Sequence, residues 1–263
     1  MHVFGLSILT SVLPSRESGS LKDFKLDPSF PSLLFESGSK PTLSFLEDLL
    51  KDYSKRALSK PTDRAIALSG LIARIAQALN CEEKYGIFDL YLHRNLLWQR
   101  YDLQSMMERI EYETRDVPSW SWMAYTGGID FTNLDFGKLE VFQNLRFDKK
   151  HENDKQTLIT NVWEFQDCHP GEMEKAGSVA TRCEIFDSCD AKKGWIMYDV
   201  KREADILSER GVVVGRTRSE GQWEYYMLIV RQRDGKEGEY ERVGIGKVQE
   251  GYMVRQPADI RVF

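Results

Sequence analysis

His93 is the histidine of this sequence that is best placed to take part in proton transfer. The chain of 263 residues contains four histidines, and His93 falls within an apolar stretch that predicts a helix. Imidazole titrates near neutral pH, so His93, or a carboxylate such as Asp130, could move a proton in a reaction. A hydrogen-bonded surface histidine is the plainer interpretation of the same residue.

The four cysteines form no recognisable metal or redox motif. Cys81 stands alone, and Cys168, Cys183 and Cys189 are not spaced like zinc ligands or like a Cys-x-x-Cys pair. Cys168 and His169 are neighbours in sequence, but a nucleophile and its base usually come from separate elements. We therefore expect reduced thiols, no metal site and no cofactor.

Two tryptophans at period two are the strongest aromatic feature of the chain. Pro118 favours extended backbone before it, and the segment Trp120–Tyr125 predicts a strand. Trp120 and Trp122 would then point to one face, as a wall of the core or as one side of an aromatic cleft. If this face holds a ligand site, the catalytic candidates are His93 and Asp130. The substrate-binding candidates are Tyr91, Trp120, Trp122 and Tyr125.

Composition and charge exclude several classes of protein. Hydrophobic residues make up 41% and charged residues 29%, which is typical of a globular chain with its own core. The 36 Lys and Arg against 41 Asp and Glu give a net charge of −5, so no basic surface for nucleic acid or anionic lipid is predicted. Walker, G-x-S-x-G and H-E-x-x-H motifs are absent, and Gly244-Ile245-Gly246 lacks the third glycine of a dinucleotide loop.

The N-terminal residues give no signal for export. Val3–Leu13 is apolar, but no Lys or Arg precedes it and no small-residue cleavage pattern follows before Arg16. No apolar run approaches the roughly 20 residues of a spanning helix. We expect a cytoplasmic protein.

The chain divides into three regions. Residues 1–41 are rich in Pro, Ser and Gly and predict an irregular segment that wraps the fold. Residues 42–117 have mostly helical periodicity, and residues 118–263 predict an antiparallel β region that forms one continuous domain with them. Helices are predicted over Ser44–Lys55, Asp63–Asn80 and Phe88–Trp98, the first with a Ser44–Glu47 capping box and the second with Asp63 as N-cap.

Strands are predicted where β-branched and aromatic residues alternate between Gly, Asn and Asp clusters. They are Trp120–Tyr125, Leu139–Phe147, Thr157–Phe165, Val179–Phe186, Trp195–Val200, Gly211–Gly215, Trp223–Arg231, Tyr240–Val248 and Ile260–Phe263. The predicted helices precede the predicted strands along the chain. This order indicates an α+β fold, with an N-terminal helical layer packed on a C-terminal antiparallel β-sandwich or partial barrel.

Several short motifs in a fixed order resemble a known family. They are Tyr53-Ser54-x-Arg56-Ala57-Leu58-Ser59, Asp63-Arg64-x-x-Ala67-Leu68-Ser69-Gly70, Leu96-Leu97-Trp98, Pro118-Ser119-Trp120-Ser121-Trp122 with Gly127-Gly128, and Tyr240-x-Arg242-Val243-Gly244. This series is similar to the region that follows the HET domain in fungal heterokaryon-incompatibility proteins. The strong part of the resemblance covers roughly residues 50–130.

The HET domain itself has no counterpart in this sequence. The family's signalling activity is attributed to that domain and to its A-L-S-Y-x-W-G-like opening, whereas Ala67-Leu68-Ser69-Gly70 falls inside a predicted helix. The resemblance therefore implies the companion region only, without the death-inducing activity.

Two functions are compatible with these observations. The resemblance and the lack of a catalytic motif favour a non-catalytic interaction or regulatory module that binds a protein partner or a second copy of itself. The alternative is a metal- and nucleotide-independent enzyme of secondary metabolism, such as a cyclase, isomerase or hydrolase, with an aromatic pocket for a small apolar ligand. A cavity beside Trp120 and Trp122 that His93 or Asp130 enters would favour the enzyme, and packed indoles would favour the module.

Overall fold

The computed structural model of the chain describes residues 31, 38–56, 58–102, 107–113, 116–149, 156–176, 179–200 and 208–263. The irregular segment predicted over residues 1–41 lies outside this part of the chain, apart from residue 31 and residues 38–41. Of these, residues 39–41 already belong to a helix.

The described helices are short except for the first. The α-helices are α1 (Ser39–Ser54), α2 (Arg64–Ala67), α3 (Ser69–Ala78) and α4 (Leu92–Asn95). The 3₁₀ turns are η1 (Pro61–Asp63), η2 (Asp89–Tyr91) and η3 (Trp122–Ala124).

Helix α1 begins upstream of its predicted start, and the predicted capping box is wrong. Ser44 lies inside the helix, and the N-cap is Gly38, which makes no side-chain capping hydrogen bond. Pro41 falls in the first turn, where the backbone N–H groups have no intrahelical partner, so it does not interrupt the helix. The Thr42 hydroxyl donates to the Gly38 carbonyl oxygen over 2.8 Å and closes this turn instead.

The helix predicted over Asp63–Asn80 is broken at Leu68, between α2 and α3. Asp63 provides no side-chain cap, and the Ser69 hydroxyl donates to the Ile66 carbonyl oxygen over 2.7 Å at the break. The break turns Ile66 outward, where it is 53% exposed, although its spacing predicted a buried position. A local side-chain bond to the backbone thus overrides the helical period.

The helix predicted over Phe88–Trp98 is also interrupted. Phe88 lies in a strand, η2 and α4 follow, and Trp98 begins another strand. The Asn95 side chain accepts a hydrogen bond from the Phe88 backbone N–H over 3.2 Å, which ties the two ends of this compact turn together.

Strands make up most of the remaining described chain. They are β1 (Glu83–Lys84), β2 (Ile87–Phe88), β3 (Trp98–Arg100), β4 (Ile129–Phe131), β5 (Glu140–Val141), β6 (Arg146–Phe147), β7 (Leu158–Phe165), β8 (Cys168–Ala176), β9 (Val179–Asp187), β10 (Lys192–Tyr198), β11 (Glu209–Ser219), β12 (Gln222–Gln232), β13 (Glu239–Gln249) and β14 (Met253–Val262).

Five long strands close into a ring. The order of pairing is β12, β11, β7, β14 and β13, and β13 pairs again with β12. These pairs are antiparallel except for β13 with β14, which is parallel. Strand β13 also pairs with β10, along Gly244–Val248, and β9 and β8 follow β10 in the sheet. The chain is therefore an α+β protein with one large mixed sheet.

Both faces of the central strands are buried. Val212 and Val214 of β11 contribute to a core shared with the helices, whereas Val213 between them belongs to a second core with β9, β10 and β12. Alternation along a strand sends neighbours to opposite faces, so β11 separates the two cores. The helices and the sheet consequently form one packed unit.

Several parts of the β region differ from the sequence prediction. Strand β4 was not predicted, and β14 begins at Met253, whereas the predicted strand begins at Ile260. The Trp120–Tyr125 segment is a turn around η3, and the strand predicted over Leu139–Phe147 is split into β5 and β6. Strand β8 was not predicted because Pro170 and Gly171 indicate a turn. It is the last strand of the sheet, a position where proline is tolerated.

Candidate functional site

Trp120 and Trp122 are walls of the core. Both side chains are fully buried, and Ser121 between them caps η3 by accepting a hydrogen bond from the Met123 N–H over 3.0 Å. This serine cap replaces the predicted strand, so the two indoles do not alternate along a sheet face. Trp120 packs on Phe147 and Trp122 on Tyr53, with ring centroids 5.8 and 6.1 Å apart.

A buried arginine holds the segment around Trp98 against the sheet. Arg242 of β13 donates to the carbonyl oxygens of Leu96 and Trp98 over 2.8 and 2.6 Å. Its Nε donates to Asp199 over 2.8 Å, and its guanidinium lies 3.4 Å from the centre of the Trp98 ring. The Arg242 side chain is fully buried and the Asp199 side chain 2% exposed, so this ion pair is not screened by water.

Ser119 and Tyr125 extend this network. The Ser119 hydroxyl oxygen accepts from the Arg242 N–H over 2.8 Å and donates to the Phe263 carbonyl oxygen. The Tyr125 hydroxyl donates to the Arg242 carbonyl oxygen over 3.3 Å. Burial raises the pKa of Tyr125 to about 12, so this hydroxyl stays protonated and acts as a structural donor.

A second buried arginine joins the remaining motifs. Arg64 donates to the carbonyl oxygens of Tyr125, Ser54 and Gly127 over 2.5, 2.7 and 2.6 Å. Burial lowers its pKa to about 10, which still leaves it charged at neutral pH. The motifs that carry the family resemblance therefore meet in one buried network around Arg242 and Arg64. We use the name arginine network for Arg64, Arg242 and the residues that they contact, namely Ser54, Leu96, Trp98, Ser119, Tyr125, Gly127 and Asp199.

No role is predicted for Arg64 or Arg242 from the sequence. Arg242 falls within the predicted strand Tyr240–Val248, in a part of β13 that is buried on both faces. Arginine at such a position indicates a buried charge with a dedicated partner. The partner Asp199 is distant in sequence and could not be identified from the pattern.

The other predicted site residues are dispersed. The Tyr91 hydroxyl donates to the Ser39 carbonyl oxygen over 3.3 Å. Asp130, 42% exposed, lies 3.5 Å from the Lys51 ammonium. No hydrogen bond or ion pair among the described residues joins Asp130 to His93. The six candidates are thus not gathered around one cavity.

His93 borders a cleft of about 580 Å³ on the other side of Phe147 from Trp120. Its Nε2 lies 2.9 Å from the Phe142 carbonyl oxygen, which can only accept, so Nε2 carries the proton. Burial lowers the pKa of His93, and the ring is therefore neutral near pH 7. The cleft is lined by Glu82, Asp89, Leu92, His93, Leu145, Arg146, Phe147, Asp148, Lys149 and Ile159.

Two carboxylates of this cleft have structural partners. Asp148 is 4% exposed and accepts from the Arg261 guanidinium and the Thr157 hydroxyl over 3.0 and 3.3 Å. Asp89 accepts from the Glu82 backbone N–H over 2.9 Å. The neutral imidazole of His93 can hydrogen-bond or accept a proton in this cleft, which Glu82, Arg146 and Lys149 also line.

We expect His93 to make the protein less stable as the pH falls. Its pKa is lower in the folded than in the unfolded chain, so below about pH 6.5 the unfolded chain binds the extra proton first. The free energy of unfolding should fall there by about 1.4 kcal/mol for each unit by which the pKa is lowered. The variant His93→Gln keeps an N–H donor for Phe142 but does not titrate, and it should lose this dependence.

Urea denaturation between about pH 8 and pH 5 measures the effect. His169→Asn is the matched control, because His169 is half exposed and its ion-pair partner Asp190 is exposed as well. An equal pH dependence in the unaltered protein and in His93→Gln would contradict the prediction.

The cysteines should differ sharply in reactivity. Burial raises the pKa of Cys81, Cys168 and Cys183 to about 11, which leaves roughly one thiolate in a thousand at pH 8. Cys189 is exposed. Iodoacetamide at pH 8 should therefore label Cys189 first, as followed by mass spectrometry, and Cys189→Ser should remove the fast phase. Fast labelling of Cys183 in the folded protein would contradict this order.

Two further findings concern the described part of the chain. No three His, Cys, Asp or Glu side chains there are arranged to hold a metal ion. None of its helices combines the length and the apolar character needed to cross a membrane.

No protein-family model, no curated protein and no solved structure matches this chain.

Proposed function

We propose that the chain is a non-catalytic interaction or regulatory module, as its resemblance to the region downstream of the HET domain implies. The single observation that supports this most strongly is the arginine network. Most residues that carry the resemblance pack around the buried Trp98, Trp120 and Trp122, and these three indoles line none of the clefts that the described residues form. Pro118 and Ser119 border a small pocket of about 50 Å³, and Ser69 borders a cleft of about 350 Å³. In this proposal the helical layer presents a surface that the curled sheet behind it supports.

The ionisable groups support the same function. Burial raises the pKa of the cysteines Cys81, Cys168 and Cys183, and it raises the pKa of Tyr53 and Tyr125 to about 12. These shifts favour the protonated, uncharged form, so the surroundings activate none of these five side chains as a nucleophile or base. The free cysteines are also compatible with a reducing compartment such as the cytoplasm.

Association between two copies carrying different affinity tags tests the proposal directly. We expect co-purification of the two tags and a weight-average mass above 30.5 kDa in sedimentation equilibrium at about 1 to 100 µM, if the module binds its own kind. A panel of single Asp substitutions would locate the surface. It covers the large apolar side chains exposed in the structure, namely Ile66, Leu90, Tyr101, Phe136, Val141 and Val254.

If the chain remains monomeric, the proposed partner is a different protein. The test is then cross-linking in the source cells, carried out with the unaltered protein and with each variant of the panel. Loss of cross-links in one panel variant, with unchanged melting temperature, would support the module. Identical cross-links in every panel variant would argue against a defined interaction surface.

The second candidate is the small-molecule enzyme, and the His93 cleft is the observation that favours it. A neutral imidazole whose Nε2 is fixed by a carbonyl presents its Nδ1 lone pair as a possible base. Leu145, Phe147 and Ile159 would contact an apolar substrate. Turnover of any small molecule that disappears in His93→Gln, while folding is retained, would replace the module by this function.

A further inference from the structure

A second cleft lies at one end of the sheet, away from the arginine network and from His93. Four loops that connect strands consecutive in the sequence surround it: β7 to β8, β9 to β10, β11 to β12, and β13 to β14. Its volume is about 600 Å³, enough for a ligand of several rings. The residues that line it are Asp167, Asp187, Ser188, Lys193, Gly221, Gln222, Trp223, Gln249, Glu250, Gly251 and Tyr252.

Two aromatic rings border this cleft, and each is held by a charged neighbour. Trp223 is partly exposed, with the Arg216 guanidinium 4.2 Å from its ring centre. Tyr252 is also partly exposed, and its hydroxyl donates to Asp187 over 3.3 Å. Partly exposed rings in fixed positions offer flat apolar surfaces to a ligand.

One carboxylate anchors the wall of the cleft. Asp187 accepts from the backbone N–H groups of Cys189 and Ala191, each over 2.9 Å, and lies 3.2 Å from the Lys193 ammonium. These hydrogen bonds lower the pKa of Asp187 to about 2. Its charge is therefore constant at physiological pH, and its position is set by the turn between β9 and β10.

Other polar groups of the cleft are not used by the fold. The side chains of Gln222, Gln249 and Ser188 make no hydrogen bond to any residue that the structure describes. The two amides each provide donors and acceptors, and the serine hydroxyl provides both in one group. A ligand that both donates and accepts hydrogen bonds would satisfy them.

The charge of the cleft restricts the ligand further. Asp167, Asp187 and Glu250 line the cleft together with Lys193, and the guanidinium groups of Arg216 and Arg218 lie 4.2 and 5.8 Å from the Trp223 ring centre. Three carboxylates are therefore balanced by three cations, and this balance favours a neutral ligand over phosphates, nucleotides and acidic peptides. A purely apolar ligand would leave the amides and carboxylates without water or partner.

We propose that this cleft binds a neutral carbohydrate. The C–H face of a pyranose ring can lie on Trp223 or Tyr252, and its hydroxyls can exchange hydrogen bonds with Gln222, Gln249 and Ser188. The inference is independent of the interaction function proposed above, because it rests on a different end of the sheet.

Saturation-transfer NMR with four probes tests the site: the trisaccharides of β-1,4-glucose, β-1,3-glucose, α-1,4-glucose and β-1,4-N-acetylglucosamine, each at about 5 mM. We expect saturation transfer to at least one of them, and a loss of affinity of about tenfold or more in Trp223→Ala. Trp195→Ala is the matched control. Trp195 is also a partly exposed tryptophan of the sheet with an arginine, Arg182, 5.2 Å from its ring centre, but it lies outside the cleft.

The double variant Gln222→Ala with Gln249→Ala gives a second readout if Trp223→Ala does not fold. Retained far-UV circular dichroism and loss of transfer in this variant would support the site. Absence of transfer from all four sugars to the unaltered protein would overturn it. Transfer that persists in both Trp223→Ala and the glutamine variant would also overturn it, because binding would then lie elsewhere.

Discussion

Replacing Arg242 by methionine should lower the free energy of unfolding by about 3 to 5 kcal/mol. Both carboxylate oxygens of Asp199 accept hydrogen bonds from the Arg242 guanidinium, and the substitution removes this donor. The Asp199 side chain is only 2% exposed, so water cannot replace the lost guanidinium. The carbonyl oxygens of Leu96 and Trp98 lose a charged donor at the same time. Urea denaturation followed by tryptophan fluorescence measures the loss.

The matched control is Arg216→Met, which removes an arginine whose side chain is 31% exposed and pairs with Glu140 and Glu250. Exposed pairs of this kind contribute about 1 kcal/mol or less, so the control should change stability little. The double variant Arg242→Met with Asp199→Leu should be more stable than the sum of the two single losses, since the carboxylate that loses the Arg242 guanidinium is then absent as well. Equal losses in Arg242→Met and Arg216→Met would show that the arginine network does not hold the fold.

Replacing Gly244 by alanine should lower the free energy of unfolding by roughly 1 to 3 kcal/mol or more. Gly244 lies opposite Tyr198 in the pairing of β13 with β10. A Cβ at this position would meet the Met197 carbonyl oxygen and would lie 3.1 Å from the Tyr198 Cα. Both obstacles are backbone atoms, so the two strands would have to separate. Gly194 permits the same close approach at the other end of the β10–β13 pair, against Lys247 and Val248.

Gly70→Ala serves as the control with the opposite sign. Gly70 lies in α3, and nothing lies within 4 Å of the position that its Cβ would take. Alanine there should stabilise the protein by about 0.5 to 1 kcal/mol, because it favours the helix and restricts the unfolded chain. Differential scanning calorimetry of both variants gives the comparison. A Gly244→Ala protein as stable as the unaltered chain would contradict the close approach of β10 and β13.

The long strands of the C-terminal half could be predicted from local pattern. Trp223–Arg231 lies within β12 and Tyr240–Val248 within β13, because alternating branched and aromatic residues repeat there over many positions. Their ends were placed too far inward, since charged and polar residues continue each strand beyond its apolar part. The coarse α+β class followed from the order of helices and strands.

The wrong predictions of secondary structure have a common physical cause. Individual side-chain hydrogen bonds to the backbone compete with the periodic pattern from which helices and strands are predicted. Ser121 caps η3 and so turns a predicted strand into a 3₁₀ turn. Ser69 bonds the Ile66 carbonyl oxygen at the break between α2 and α3. The candidate site could likewise be predicted only in part from the sequence. His93 was identified from its residue type, but its cleft is formed by the distant Leu145, Phe147 and Ile159 and not by the two tryptophans.

The ring of strands also determines when the protein can fold during synthesis. Strand β7 bonds to β14 in a register that joins Leu158 to Val262, so β7 must wait while most of the sheet leaves the ribosome. Contacts between residues so far apart in sequence make folding slow, typically in milliseconds to seconds. Until β14 emerges, the open edges of β7 and β13 can pair wrongly with other chains. A chaperone that covers these edges during synthesis should therefore raise the yield of folded protein.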